Sequence, residues 1–189
     1  MSENALESRL RAVEDEFFYQ VDLKLGEQLR QKVEREQKRE RLSQHLTPRS
    51  DATLDELIER GIDEHTIATL LLVPLAFVAW ADGKVTDAES DVIHAVAMQH
   101  IKDNDAASIE LIESWLKNRP DEKLWAAWLN YVVALRERGL GTATAMLGQQ
   151  LLADAKKVAE ASNGFLSFGR IAAEKQCVLD DIRDALDRP

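Results

Sequence analysis

Apolar positions recur along this chain at three- and four-residue spacing, the period of helices, and no segment makes a convincing strand. The densest apolar run is Leu71–Ala81, where only Pro74 is not an apolar side chain. A helix that is apolar on every side is buried all round. Its eleven residues fall well short of the roughly 20 that cross a bilayer. Pro74 lacks the N–H that a helix interior requires, which places it in a first turn. Gly83 stands where a helix C-terminus takes a left-handed residue, and Thr86 with Glu89 forms a T-x-x-E capping box for the next helix. This helix–loop–helix corner organises the rest of the chain.

Upstream, Leu6, Leu10, Val13, Phe17, Val21, Leu25, Leu29 and Val33 fall mostly four apart. That spacing exceeds 3.6, so the stripe drifts around one long helix over residues 1–46. The helix is expected to pack along Leu6–Val33 and to project or cap with its charged end; the drifting stripe serves equally as an intermolecular surface. That end, Glu34–Arg41, with Arg30 and Lys32 just before it, gathers six bases among glutamates at i,i+3 and i,i+4 spacing, which reads as a solvated face rather than a nucleic-acid contact. Residues 47–61 read as a linker, Thr47–Ser50, and a short helix, Leu54–Arg60, boxed by Thr53 and Glu56 and stopped by Gly61. Residues 62–189 form the main domain. Asp63 opens a helix from Glu64 to Leu70, and helices follow over Asp87–Ile101, Ala106–Asn118, Glu122–Arg138, Thr142–Ala161 and Ala173–Leu186. Lys102–Asp105 is a turn, and Gly139 closes the Glu122 helix. The expectation is an all-α bundle of about eight helices.

A second, degraded corner follows. Ser162-Asn163-Gly164 stands where Ala81-Asp82-Gly83 stood, and Glu174, Cys177 and Val178 echo Glu89, Val92 and Ile93. Its loop, Phe165–Ala172, carries four extra residues. The two loops are expected side by side, Val85 near Ile171 or Phe165.

The net charge is −10, concentrated on residues 61–130, which hold twelve acids and five bases. Such a field repels nucleic acid and anionic headgroups and favours cations or a basic partner. Acids on solvated faces and helix N-termini account for the same count. The single cysteine, Cys177, is placed on the buried face of the last helix; it can form no internal disulfide, which favours a reducing cytoplasm. No basic, apolar leader pattern opens the chain and no run is long enough to span a membrane, so a soluble cytoplasmic protein is expected.

Hydrolase, nucleotide and zinc-protease motifs are all missing from the sequence. Asp91 and His94 share one helix face, but a di-metal bundle needs a second carboxylate-x-x-His pair, which the chain lacks. Asp82-Gly83 and Glu89 match the second half of a calcium loop, while the first half falls on Val78 and Trp80, which offer no oxygen. The candidate ligands are therefore acidic oxygens: Asp82, Asp87 and Glu89 at the first corner, Asn163 and Glu174 at the second. Pooled across the pseudo-repeat, they suit calcium or magnesium. Asp82 follows a helix C-terminus, an unfavourable place for an anion. A bound cation, a loop N–H or nearby Lys84 would each relieve it.

The run Ala79-Trp-Ala-Asp-Gly-Lys-Val-Thr-Asp-Ala-Glu89, followed by Val92-Ile93, resembles the TerB-like family of bacterial tellurite-resistance proteins, over about residues 62–189. The resemblance implies an all-helical bundle, a suspected metal site at the acidic corner and a role in stress response. With no nucleophile–base pair or cofactor fingerprint, the expected function is a non-enzymatic interaction module that meets a protein partner or itself. The alternative is a metal-dependent hydrolase or other enzyme using the same acidic corner.

Overall fold

The computed structural model describes residues 2–45, 51–101, 105–137, 141–161 and 171–187, the side chains of 2–15, 137 and 141–144 excepted. These residues form eight α-helices and no strand: α1 Ser2–Ser43, α2 Asp51–Glu59, α3 Val73–Trp80, α4 Asp87–His100, α5 Ala106–Lys117, α6 Glu122–Glu137, α7 Gly141–Ala161 and α8 Ala173–Asp187. A 3₁₀ segment, Ile67–Leu72, leads into α3. The expected linker Thr47–Ser50, Gly139, Lys102–Asn104 and the corner Ser162–Gly164 with Phe165 lie outside the described residues.

Helix α3 is the hub. It touches α4, α5, α6, α7, α8 and the 3₁₀ segment, which is why so short a helix is apolar on every side. Val73, Pro74, Leu75, Ala76, Val78 and Ala79 are all buried. Pro74 sits in the first turn, where its missing N–H costs no helical bond. One edge carries an aromatic stack: Phe77 lies 5.0 Å from Trp125, which lies 4.7 Å from Trp128. The 3₁₀ segment replaces the predicted helix Glu64–Leu70. Asp63 accepts from the N–H groups of His65 and Thr66, and Thr66 Oγ1 donates to the Gly61 carbonyl, so a side-chain-tied turn occupies the expected first helical turn. The 3₁₀ geometry then lasts until Pro74 permits an α-helix. Helix α2 also departs from expectation. It starts at Asp51, so Thr53 lies inside the helix and Glu56 pairs with Lys123 of α6 rather than closing a box. Gly61, at φ 78°, ends the segment as expected.

The long helix α1 does not pack on the body along Phe17–Val33. Its charged end docks, and the stripe from Phe17 to Val33 is bare. Arg35 and Arg39 both pair with Asp55 of α2, Arg35 reaches Glu59 as well, Arg41 bonds Glu64 at 2.7 Å, and Leu42 is fully buried. Every described residue from Glu16 to Glu34 is exposed apart from Gly26. The alternating charges of residues 34–41 are therefore a docking surface for α2 as well as a solvated face.

This clamp has a pH dependence. The Arg39 guanidinium, seconded by Arg35, holds the Asp55 carboxyl below its ordinary value, and Arg41 does the same for Glu64. Carboxyls depressed in the folded state contribute stability that is present above their unfolded values and lost as pH falls through the folded ones. Protection of the α1 amides 35–43 from hydrogen exchange is thus expected to hold down to about pH 5 and to fall towards pH 3. Asp55→Asn is expected to lower it already at neutral pH.

Among the described residues, no helix is long and apolar enough to cross a membrane.

Candidate functional site

Local sequence builds the corner as read. Trp80 closes α3, and its indole N–H donates to the Trp115 carbonyl at 2.8 Å, pinning the helix end to α5. Gly83 takes φ 92°, a left-handed conformation, and its N–H bonds the Trp80 carbonyl at 2.9 Å. Thr86 and Glu89 form the complete capping box: Glu89 N–H donates to Thr86 Oγ1, and Thr86 N–H donates to Glu89 Oε2 at 2.8 Å. The Thr86 hydroxyl adds a second bond to the same oxygen at 2.7 Å.

That leaves Glu89 Oε1, inside a side chain that is wholly buried. Its partner is Lys175, also wholly buried, whose ammonium donates directly to it. The same Nζ lies 3.2 Å from Asp82 Oδ2, and 3.4 and 3.3 Å from the carbonyls of Val78 and Ala79. Two carboxylates and two carbonyls of the last turn of α3 therefore converge on one ammonium. A cation at a helix C-terminus and an anion at a helix N-terminus both sit favourably in the macrodipoles, and here one ion pair bridges the two ends. Asp82, unfavourably placed by sequence, is relieved twice, by Lys175 and by the Lys84 N–H at 3.4 Å. The corner thus holds a cation, supplied by the chain itself.

The other expected ligands are not brought together. Asp87 and Glu174 are exposed, and Asn163 lies outside the described residues. Among the described residues, no group of three or more His, Cys, Asp or Glu is arranged to hold a metal ion. Beside the corner is a cleft of about 230 Å³ that includes Asp87, Ser90, His94, Glu113 and Lys117. Its polar groups pair locally: His94 Nδ1 with the Ser90 carbonyl at 2.8 Å, and Lys117 with Glu113 at 3.1 Å. A second buried carboxylate, Asp154 of α7, is held by Gln150 and Lys157 of its own helix and lies 3.9 Å from His100 of α4.

Sequence reasoning passes over Lys175 because the pseudo-repeat sets Glu174, one residue early, opposite Glu89. The buried face of α4 is Glu89, Ile93 and Val96, and that of α8 is Lys175, Leu179 and Ile182. Both charged residues are the third of their helix, and each stands four before an apolar core residue. With Lys175 rather than Glu174 opposite Glu89, the two halves match in register and are opposite in charge. The same slip explains Cys177, which is exposed and not on the buried face. Val85 and Ile171 both pack against the core, half-buried.

No family model and no curated protein matches the chain, and no solved structure matches it. The described residues form an all-α bundle in which α8 is tied to the α3–α4 corner by a buried lysine–carboxylate lock.

Proposed function

We propose that this protein is a non-enzymatic, TerB-like interaction module of bacterial stress response, in which α1 is the binding arm and the bundle its anchor. The carrying observation is the arm. Phe17, Phe18, Val21, Leu25, Leu29 and Val33 are exposed on a helix whose base is clamped to the body by Arg35, Arg39 and Arg41. Contiguous apolar surface of this kind marks a site of association. The corner supports the reading from the other side. Its acidic oxygens are committed to Thr86 and Lys175, so it serves as a structural lock that fixes α3, α4 and α8.

Two measurements test this. A photo-cross-linking residue placed at Phe17 of the full chain, activated in living cells, is expected to give a covalent adduct. Absence of any adduct would remove the binding arm. Calorimetric titration with calcium, magnesium, manganese and zinc is expected to show no oxygen-type site tighter than about millimolar, the ammonium already occupying the position. A saturable signal lost in Glu89→Ala would mean that a metal displaces Lys175, and would return the corner to function.

A further inference from the structure

We infer that the occupant of the α1 arm is a second copy of this chain, docked antiparallel about a two-fold axis at Leu25. The inference rests on the binding-arm reading above and names its partner. Phe17, Val21, Leu25, Leu29 and Val33 are each four apart, so their pattern is a palindrome centred on Leu25. At 100° per residue they spread over about 160° of the helix surface, with Leu25 in the middle. In an antiparallel pair crossing there, Phe17 meets Val33 of the second copy, Val21 meets Leu29, and Leu25 meets itself. A two-fold interface requires this self-complementarity of a single patch. Phe18 falls opposite Lys32 of the second copy, an aromatic face opposite a cation.

Charge selects the antiparallel arrangement. In this register Asp22, Lys24, Glu27, Arg30 and Lys32 face Gln28, Gly26, Leu23, Gln20 and Phe18, all neutral. A parallel, in-register pair would set each of those charges against its own copy. It would also place the two bodies together. Residues 1–43 carry ten acids and nine bases, which leaves −9 of the total −10 on residues 44–189. In the antiparallel pair about 27 Å of helix separates Leu25 from the base of each arm, several times the Debye length of about 8 Å.

The area agrees. The six exposed side chains, 42–63% accessible, offer roughly 600 Å² of apolar surface per copy, before the stems of flanking Gln, Lys and Arg are counted. A stable dimer needs about 800 Å² per partner.

Light scattering on the full chain tests the proposal. Over tens to hundreds of micromolar the expected mass is about twice the 21.3 kDa of one chain. Leu25→Lys and Leu25→Glu, each setting like charges face to face on the axis, are expected to be monomeric and to keep the helical circular dichroism of the folded chain. Their equimolar mixture is expected to recover the dimer. In a Cys177→Ser background, Phe17→Cys is expected to oxidise to a covalent dimer only when mixed with Val33→Cys. A wild-type monomer at every concentration overturns the second copy, as do charge variants that remain dimeric or Phe17→Cys that cross-links to itself. The Phe17 photo-adduct separates the two levels. An adduct with a different protein overturns the second copy alone, whereas no adduct overturns the binding arm as well.

Discussion

Lys175→Met is expected to destabilise the folded chain by about 3–5 kcal/mol, the cost of removing one partner from a buried ion pair. Lys175 and Glu89 are both wholly buried, so the substitution leaves a carboxylate in the core with no counter-ion. It also takes the ammonium away from the Val78 and Ala79 carbonyls, of which Val78 keeps the Ala81 N–H. A protein of this size shifts by about 2–4 °C per kcal/mol, so the melting temperature should fall by roughly 6–20 °C. Against a typical total of about 5–15 kcal/mol, that is a large share. Thermal unfolding followed by circular dichroism measures it. The double variant Lys175→Met/Glu89→Gln is expected to lose less than the sum of the two single losses, by about 1–3 kcal/mol, because the second change removes the charge that the first strands. Additive losses would mean that the two side chains act independently and that no lock exists. Asp82→Ala should cost far less, since Asp82 keeps over a quarter of its side chain in water.

This lock also shows where the sequence was readable and where it was not. Gly83, Thr86 and Glu89 act within a few residues of each other, and local rules of turn and cap chemistry placed each of them correctly. Pro74 and the all-round apolarity of α3 gave the hub for the same reason. Lys175 is 86 residues from Glu89, and no local rule joins them. Only the register of the pseudo-repeat could have done so, through opposite charges at the third residue of α4 and of α8. The arm is legible only in part. Periodicity finds an apolar stripe but not what covers it, so Leu6–Val33 reads equally as a face packed on the body and as an intermolecular surface. The interleaved bases of residues 34–41 looked solvated because their partners, Asp55, Glu59 and Glu64, lie beyond the expected linker. Hydrophobicity was a sound guide to surface that must be buried, and no guide to which molecule buries it.

The second large effect is expected where α6 packs against α3. Trp128→Ala should cost about 3–5 kcal/mol, the range for truncating a large aromatic side chain in a core. Trp128 is wholly buried, its ring lies tilted against Trp125 at 4.7 Å, and Trp125 in turn packs on Phe77 of α3. Truncation therefore opens a cavity and takes away one end of the stack that joins α6 to the hub. Trp128→Phe should behave quite differently. The indole N–H of Trp128 is buried with no hydrogen-bond partner among the described residues, a burden of about 1–3 kcal/mol. Phenylalanine removes that group and keeps a ring against Trp125, so the relief offsets most of the lost volume. The expected net cost is below about 1.5 kcal/mol. Both variants can be followed by chemical denaturation, with the exposed α1 arm left as it is. Equal losses for Trp128→Phe and Trp128→Ala would show that the N–H is satisfied in solution, and that the edge of the hub is held by a hydrogen bond rather than by packing alone.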